Sequence, residues 1–292
     1  MNVVYAITCH KITNPLIHTV NYLSSFDENT ILIHVDKKSE LEKFLVLKKS
    51  NVYLIPNRVE VAWGSKSQIE STLELMDFSL GFQYDFFFLL SGDDIPLKNN
   101  SELQHLLNKF SDYNFIDFDP KATYQDIEER IKYVYPDVFF QRDNKPLSKV
   151  KRRLFRLTRD IFYKSENFKE NRDILPPLYK GSNWIGLKSD TIKYILDYKN
   201  NNHWFLELFQ TSFCGDEVFF HTIVKNNPKL KIFNHIDYPV PSLRYIDWES
   251  GPEYPKVLGE EDKANMEDSC CLFARKIKSD ENEDFMKFFL KD

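Results

Sequence analysis

Four short apolar runs set the limits on what this chain can become. Val3–Ile7, Thr30–Val35, Val52–Ile55 and Asp85–Leu90 are each too short for a buried helix, and polar residues bound them. Such runs read as strands buried on both faces. Between them lie stretches with apolar residues at helical spacing. Leu16, Val20 and Leu23 follow Asn14-Pro15; Leu41, Phe44 and Leu45 follow Ser39; a longer stretch covers about Ser67–Leu80. Ser39 is placed to cap Glu40–Leu47 as a helix. Strands alternating with helices in this way predict an α/β fold, with a mostly parallel central sheet flanked by helices.

The rest of the chain continues less regularly. Ser101–Phe110 reads as a helix and Asn114–Phe118 as a strand. Lys180–Leu187 reads as a turn into a strand, followed by a helix over Asp190–Tyr198, and Leu230–Phe233 and Leu243–Trp248 read as further strands. Neither an internal repeat nor a linker marks a domain boundary, so the 292 residues are expected to form a single domain.

Composition excludes several functions. No G-x-G-x-x-G follows the first strand and no P-loop motif occurs; with only 8 Gly, any nucleotide must be held by side chains. The net charge of −5 offers nucleic acid no general attraction. The four cysteines, Cys9, Cys214, Cys270 and Cys271, lack zinc-site spacing and fit a reducing cytosol. The N-terminal run lacks a basic leader region and turns polar at Thr8, and no apolar run reaches the ~18 residues of a membrane span. The expected setting is cytoplasmic.

One segment stands apart. Lys145–Lys164 carries eight cations and one acid, with Val150, Leu154, Leu157 and Ile161 at helical spacing. It predicts a basic amphipathic helix. The plain reading packs that apolar stripe inward; the functional one draws the helix to an anionic surface, giving peripheral contact with the inner face of the cytoplasmic membrane.

The carboxyl ends of strands are where open α/β sheets bind ligands. Asp36, Trp63 and the pair Asp93-Asp94 fall near such ends, and Asp216-Glu217 follow Gly215 at the start of a helix. Acidic residues in a first turn often only complement the helix dipole. The same residues suit transfer of a sugar from a nucleoside diphosphate, which needs one base for the acceptor hydroxyl and a counter-charge for the departing diphosphate. Glu217 can be that base. The counter-charge comes either from a metal on Asp93-Asp94 or from Arg244, Arg275 and Lys276. A metal shared by Glu217 and His221, four apart on one helical face, lacks a third ligand.

Five pieces occur in one order: Val35-Asp36-Lys37-Lys38-Ser39, Trp63-Gly64-Ser65-Lys66-Ser67, Leu90-Ser91-Gly92-Asp93-Asp94-Ile95-Pro96-Leu97, Gly181-Ser182-Asn183-Trp184, and Cys214-Gly215-Asp216-Glu217-Val218-Phe219-Phe220-His221-Thr222. Together they resemble the core-2/I-branching β-1,6-N-acetylglucosaminyltransferase and peptide O-xylosyltransferase family (glycosyltransferase family 14), especially its short bacterial members. The resemblance implies a GT-A-like domain over 1–292, with a nucleotide-binding half (1–118) and an acceptor and catalytic half (119–292). It implies inverting transfer from a UDP-sugar, GlcNAc-type favoured, without a metal cofactor. Glu217 matches the family's base; Asp36, Trp63, Asp94, Arg244, Arg275 and Lys276 match donor-binding positions. Ser182, Trp184, Asp216 and Tyr245 are assigned to the acceptor side or its turn. The absence of an anchor, stem and disulfides implies a bacterial cytosolic enzyme of surface-polysaccharide synthesis, with a glycan acceptor, lipid-diphosphate-linked in one version. The rival readings are a metal-dependent transferase using Asp93 and Asp94, and a carbohydrate- or nucleotide-binding protein without catalysis.

Overall fold

The computed structural model describes residues 1–141, 143, 145–251 and 255–291. Its main sheet has the order β3-β2-β1-β4-β6, formed by β1 (Val3–Cys9), β2 (Asn29–Val35), β3 (Val52–Leu54), β4 (Phe86–Ser91) and β6 (Gly186–Lys188). β1 pairs in parallel with both β2 and β4, β2 pairs in parallel with β3, and only β6 runs antiparallel, against β4. The period-two alternation of a strand divides the core. Val4, Ala6, Phe87 and Leu89 point to one face of the sheet, and Val3, Tyr5, Ile7, Phe86, Phe88 and Leu90 to the other. Both sets are buried, which is why the apolar runs are continuous in sequence.

A smaller sheet, β5-β8-β7, joins β5 (Ile95–Pro96), β7 (Arg244–Ile246) and β8 (Phe273–Arg275). The helices in the first half are α1 (Asn14–Leu23), α2 (Ser67–Ser79), α3 (Asn100–Lys109) and α4 (Tyr124–Lys132). They continue with α5 (Pro146–Phe162), α6 (Glu166–Asn171), α7 (Ser189–Asn201), α8 (His203–Glu207) and α9 (Asp216–Lys225). Two short helices, α10 (Lys263–Asp268) and α11 (Glu283–Phe288), complete the set.

Several expectations need correction. The segment after Ser39 is a 3₁₀ helix, Leu41–Leu47, and Ser39 does not cap it: its hydroxyl donates to the His10 carbonyl (2.6 Å) and ties the end of β2 to β1. The segments 114–118 and 230–233 are not ladder strands but single bridges, Asn114 to Ile232 and Phe115 to Gly186. Their apolar character serves burial, with Phe115 packed against Phe88 and Phe233.

The basic helix α5 forms as expected, but its apolar stripe does not pack inward. Among its residues only Ser148 and Phe155 are buried, while Val150, Leu154, Leu157 and Ile161 are exposed. Phe155 inserts among Tyr135, Phe139 and Tyr163 at ring separations of 4.8–5.1 Å. Arg159 makes a two-point ion pair with Glu129 of α4 at 2.7 and 2.9 Å. These two anchors set which face of α5 looks outward.

Candidate active site

Because β1, β2 and β4 are parallel, their carboxyl ends lie side by side, and a cleft of about 360 Å³ opens there. Thr8, Cys9 and His10 from β1, Asp36 after β2, and Ser91 and Asp93 from β4 form one wall. Later segments close it: Ser182, Asn183 and Trp184 before β6, Cys214, Asp216 and Glu217 at α9, Trp248 after β7, and Arg275 and Lys276 at the end of β8.

Asp36 is nearly buried and fixed by its turn. Its N–H donates to the Cys9 carbonyl (2.8 Å), and its Oδ1 accepts from the Lys38 N–H (2.9 Å). Trp63 is 39% exposed and rests edge-on against Phe213, with ring centroids 5.4 Å apart. Gly64 next to it adopts a φ of 73°, which costs a glycine little, and its carbonyl accepts from the Cys214 N–H at 2.7 Å. The Trp63 turn is thereby linked to the loop that begins α9.

At α9 the two acidic residues separate. Asp216 is buried and accepts from Asn183 Nδ2 (2.9 Å) and Gln68 Nε2 (3.3 Å), which hold the start of α9 against α2 and the 182–184 loop. Burial, and then the charge of Glu217, pushes its carboxyl up to about 7. Glu217 is partly open to the cleft, its side chain 30% exposed, with Arg130 Nη2 and Lys180 Nζ each 3.6 Å from its Oε2. Ser182 is held by its N–H on Asp117 Oδ1 (3.0 Å).

The expected donor cations divide as well. Asp94 is fully buried and accepts from Ser91 Oγ (2.6 Å), Arg244 Nη1 (2.7 Å) and Arg275 Nε (3.2 Å). Arg244 is itself buried and gives Nη2 to the Leu89 carbonyl (2.9 Å); burial lowers its guanidinium to about 10. The resemblance places Asp94 and Arg244 at the donor, but neither is among the residues that line the cleft. They form an ion pair beneath β4 instead. Tyr245, on the opposite face of β7, packs against the small core cluster that includes Ile95, Leu258 and Ala274 and is not among the residues that line the cleft. Arg275 and Lys276 do reach it. Arg275 lies over Trp184, its guanidinium carbon 3.9 Å from the ring centroid, and Lys276 Nζ is 3.6 Å from Asp93 Oδ2.

The acidic pair of β4 does not converge on one point. Asp93 faces the cleft, while both oxygens of Asp94 are engaged by Ser91, Arg244 and Arg275. Among the described residues, no group of three or more His, Cys, Asp and Glu gathers to hold a metal. His221 is buried edge-on to Phe118, and burial pushes it down to about 3. It lies outside the cleft lining that contains Glu217.

Sequence reasoning missed Arg130, Lys180, Asn183 and Gln68 as site residues. The capping box Thr123–Asp126 marks the start of α4, but nothing in it points Arg130 toward Glu217.

An α/β core with a cleft at its strand ends, walled by an acidic helix start and a cationic strand end, agrees with one family over most of the chain. The sequence profile of the Core-2/I-Branching enzyme family matches residues 3–269, and the chain belongs to that family, with a GT-A-like fold. It is 24% identical over 273 residues to the beta-glucuronosyltransferase GlcAT14A of Arabidopsis thaliana, covering 87% of this chain and 56% of that protein. It is 27% identical over 210 residues to xylosyltransferase 2 of Rattus norvegicus, covering 69% of this chain and 22% of that protein. Over 91 residues it is 35% identical to xylosyltransferase 1 of Homo sapiens, covering 29% and 10%. The chain thus spans about half of the first of these relatives and about a fifth of the second.

Proposed function

We propose that this protein is an inverting glycosyltransferase that moves a sugar from a UDP-sugar to a hydroxyl of a glycan acceptor. The observation that carries the reading is the opposition across one cleft of a partly exposed carboxylate, Glu217, and a cationic pair, Arg275 and Lys276. Glu217 removes the acceptor hydroxyl's proton as the oxygen attacks the anomeric carbon. The bond to the diphosphate breaks on the opposite side, and Arg275 and Lys276 meet the charge that develops on the leaving UDP, without a metal. Asp36 and Trp63 take the uridine end. Arg244 and Asp94 act one layer back: Asp94 fixes Arg275, and Arg244 neutralises Asp94.

Beyond Glu217, on the side of Arg130 and Lys180, a second hollow is lined by Asp119, Tyr135, Phe139, Arg156, Arg159 and Phe213. It shares Arg130 and Lys180 with the ion pairs of Glu217 and supplies the acceptor approach. Its lining carries five cations (Lys121, Arg130, Arg156, Arg159 and Lys180) against three acids (Asp119, Asp126 and Glu129), a balance that suits an acceptor bearing phosphate, in line with a lipid-diphosphate-linked intermediate of bacterial surface-polysaccharide synthesis. The relatives above are named for glucuronosyl and xylosyl transfer, which supports testing donors other than GlcNAc.

The test is a UDP-sugar panel (GlcNAc, glucuronate, xylose, glucose, galactose) read by thermal shift and by UDP release, with and without EDTA. The reading expects at least one donor to raise the melting temperature and to release UDP in both conditions. Release that vanishes with EDTA would remove the cation-pair mechanism. A panel with neither binding nor release would remove the donor class.

A further inference from the structure

We propose that α5 is an interfacial docking helix that seats this protein on an anionic lipid surface. The observation is independent of the catalytic reading. Leu147, Val150, Leu154, Leu157 and Ile161 recur at helical spacing and fall within an arc of roughly 80° at about 100° per residue. All five are exposed, from 57% at Leu154 to 74% at Ile161, and Phe162 at the end of the helix is equally open. Single exposed apolar side chains are ordinary, but five in line along one helix are an unpartnered face.

The charge around that face identifies its occupant. Lys151 flanks one edge of the stripe and Arg153 the other, with Asp160 and Lys149 further round beyond Arg153; none of these three cations makes an ion pair among the described residues. The two cations spent on the fold are different ones. Arg152 donates to the carbonyls of Val138, Gln141 and Asp143, and Arg159 holds Glu129. An apolar stripe bordered by unpaired cations, on a chain with a net charge of −5, is the pattern of a helix lying in a headgroup layer. A second copy of this chain would bring like charges onto like charges along the same edges. No described helix is long and apolar enough to cross a membrane, so the contact is a surface one.

Docking would also orient the site. Phe155, Arg156 and Arg159 of α5 line the hollow that shares Arg130 and Lys180 with the Glu217 ion pairs. At about 100° per residue these three side chains lie roughly 120–160° around the helix from the centre of the stripe, so a seated α5 leaves the hollow on the side away from the bilayer.

The experiment is co-sedimentation of the whole protein, without substrates, with phosphatidylcholine vesicles and with vesicles containing about one-third phosphatidylglycerol. Binding to the anionic vesicles is expected, falling several-fold between about 50 and about 500 mM NaCl, with little on the neutral ones. Leu154→Asp/Leu157→Asp is expected to lower binding at least about tenfold, and Lys151→Glu/Arg153→Glu to do likewise, while Val46→Asp, at an exposed apolar side chain outside α5, leaves it unchanged. Circular dichroism checks that each variant is folded. Equal partitioning onto neutral and anionic vesicles overturns the proposal, as does wild-type-like binding by the folded stripe variant. Vesicle binding that fails altogether, with a dimer that the stripe variant dissociates, assigns the face to a second copy and also overturns it. Because no substrate is present, none of these results bears on the donor panel.

Discussion

The Asp94–Arg244 pair gives the sharpest energetic prediction. Both side chains are buried, and the carboxylate accepts from three donors at 2.6–3.2 Å. Asp94→Asn keeps the shape but leaves the buried Arg244 guanidinium without its counter-charge, and breaking a buried pair in this way costs about 3–5 kcal/mol. Arg244→Met leaves Asp94 its contacts with Arg275 and Ser91, so a smaller loss of about 2–3 kcal/mol is expected. In the double variant no isolated buried charge remains, and the combined loss should fall short of the sum of the single losses by about 1–3 kcal/mol. For a chain of this length each kcal/mol moves the melting temperature by roughly 2–4 °C, so Asp94→Asn should melt about 10 °C early. Urea unfolding of the four proteins closes the cycle. Additive losses, or an Arg244→Met variant with unchanged stability but lost UDP affinity, would refute the buried-pair account and return Arg244 to the ligand.

Other variants test separate parts of the site. A Cβ at Gly181 would lie 2.2 Å from the Asp117 carbonyl oxygen and 2.6 Å from His221 Nε2, so Gly181→Ala should cost about 3 kcal/mol or more; an unchanged urea midpoint would show that the loop relaxes freely. His221 has a folded value near 3, below its unfolded one, so its contribution is intact above about pH 6.5 and is lost as pH falls toward 3. His221→Leu should flatten that acid limb of the stability curve, and an identical limb would discount the histidine. Asp216 has the opposite sign. Raised to about 7, it contributes stability below its unfolded value of about 4 that is lost as pH rises through 7. Asp216→Asn should therefore gain on the wild type between pH 5 and pH 8 in thermal melts; a constant difference would contradict the shift. Arg130→Met should lower kcat about tenfold by loosening Glu217 and leave UDP affinity unchanged, whereas weakened UDP binding would move Arg130 to the donor side.

The sequence was most readable where a local pattern determines the outcome. Apolar runs located β1, β2 and β4, and the polar residues just beyond them, Asp36 and Asp93, do face the cleft. The runs at 114–118 and 230–233 misled because apolar content reports burial, not pairing: Phe115 packs on Phe88 and Phe233 while making a single bridge. Helical spacing showed that α5 has an apolar stripe but not which way it turns, which depends on Phe155 and on Arg159 meeting Glu129 of another helix. Charge type likewise does not name a partner. Arg244 and Arg275 are both cations near a strand, yet Asp94, 150 residues from Arg244, keeps one beneath the sheet while the other reaches the cleft. Arg130 and Lys180 converge on Glu217 only through the tertiary fold.

The central claim is that Glu217 is the base of a sugar transfer whose leaving group is held elsewhere. Glu217→Gln with the best UDP-sugar of the panel tests it in one comparison. General-base catalysis contributes about 10²–10⁴-fold, so kcat should fall by at least about a hundredfold while UDP affinity stays within about twofold of the wild type. Turnover within a few-fold of the wild type would contradict the account.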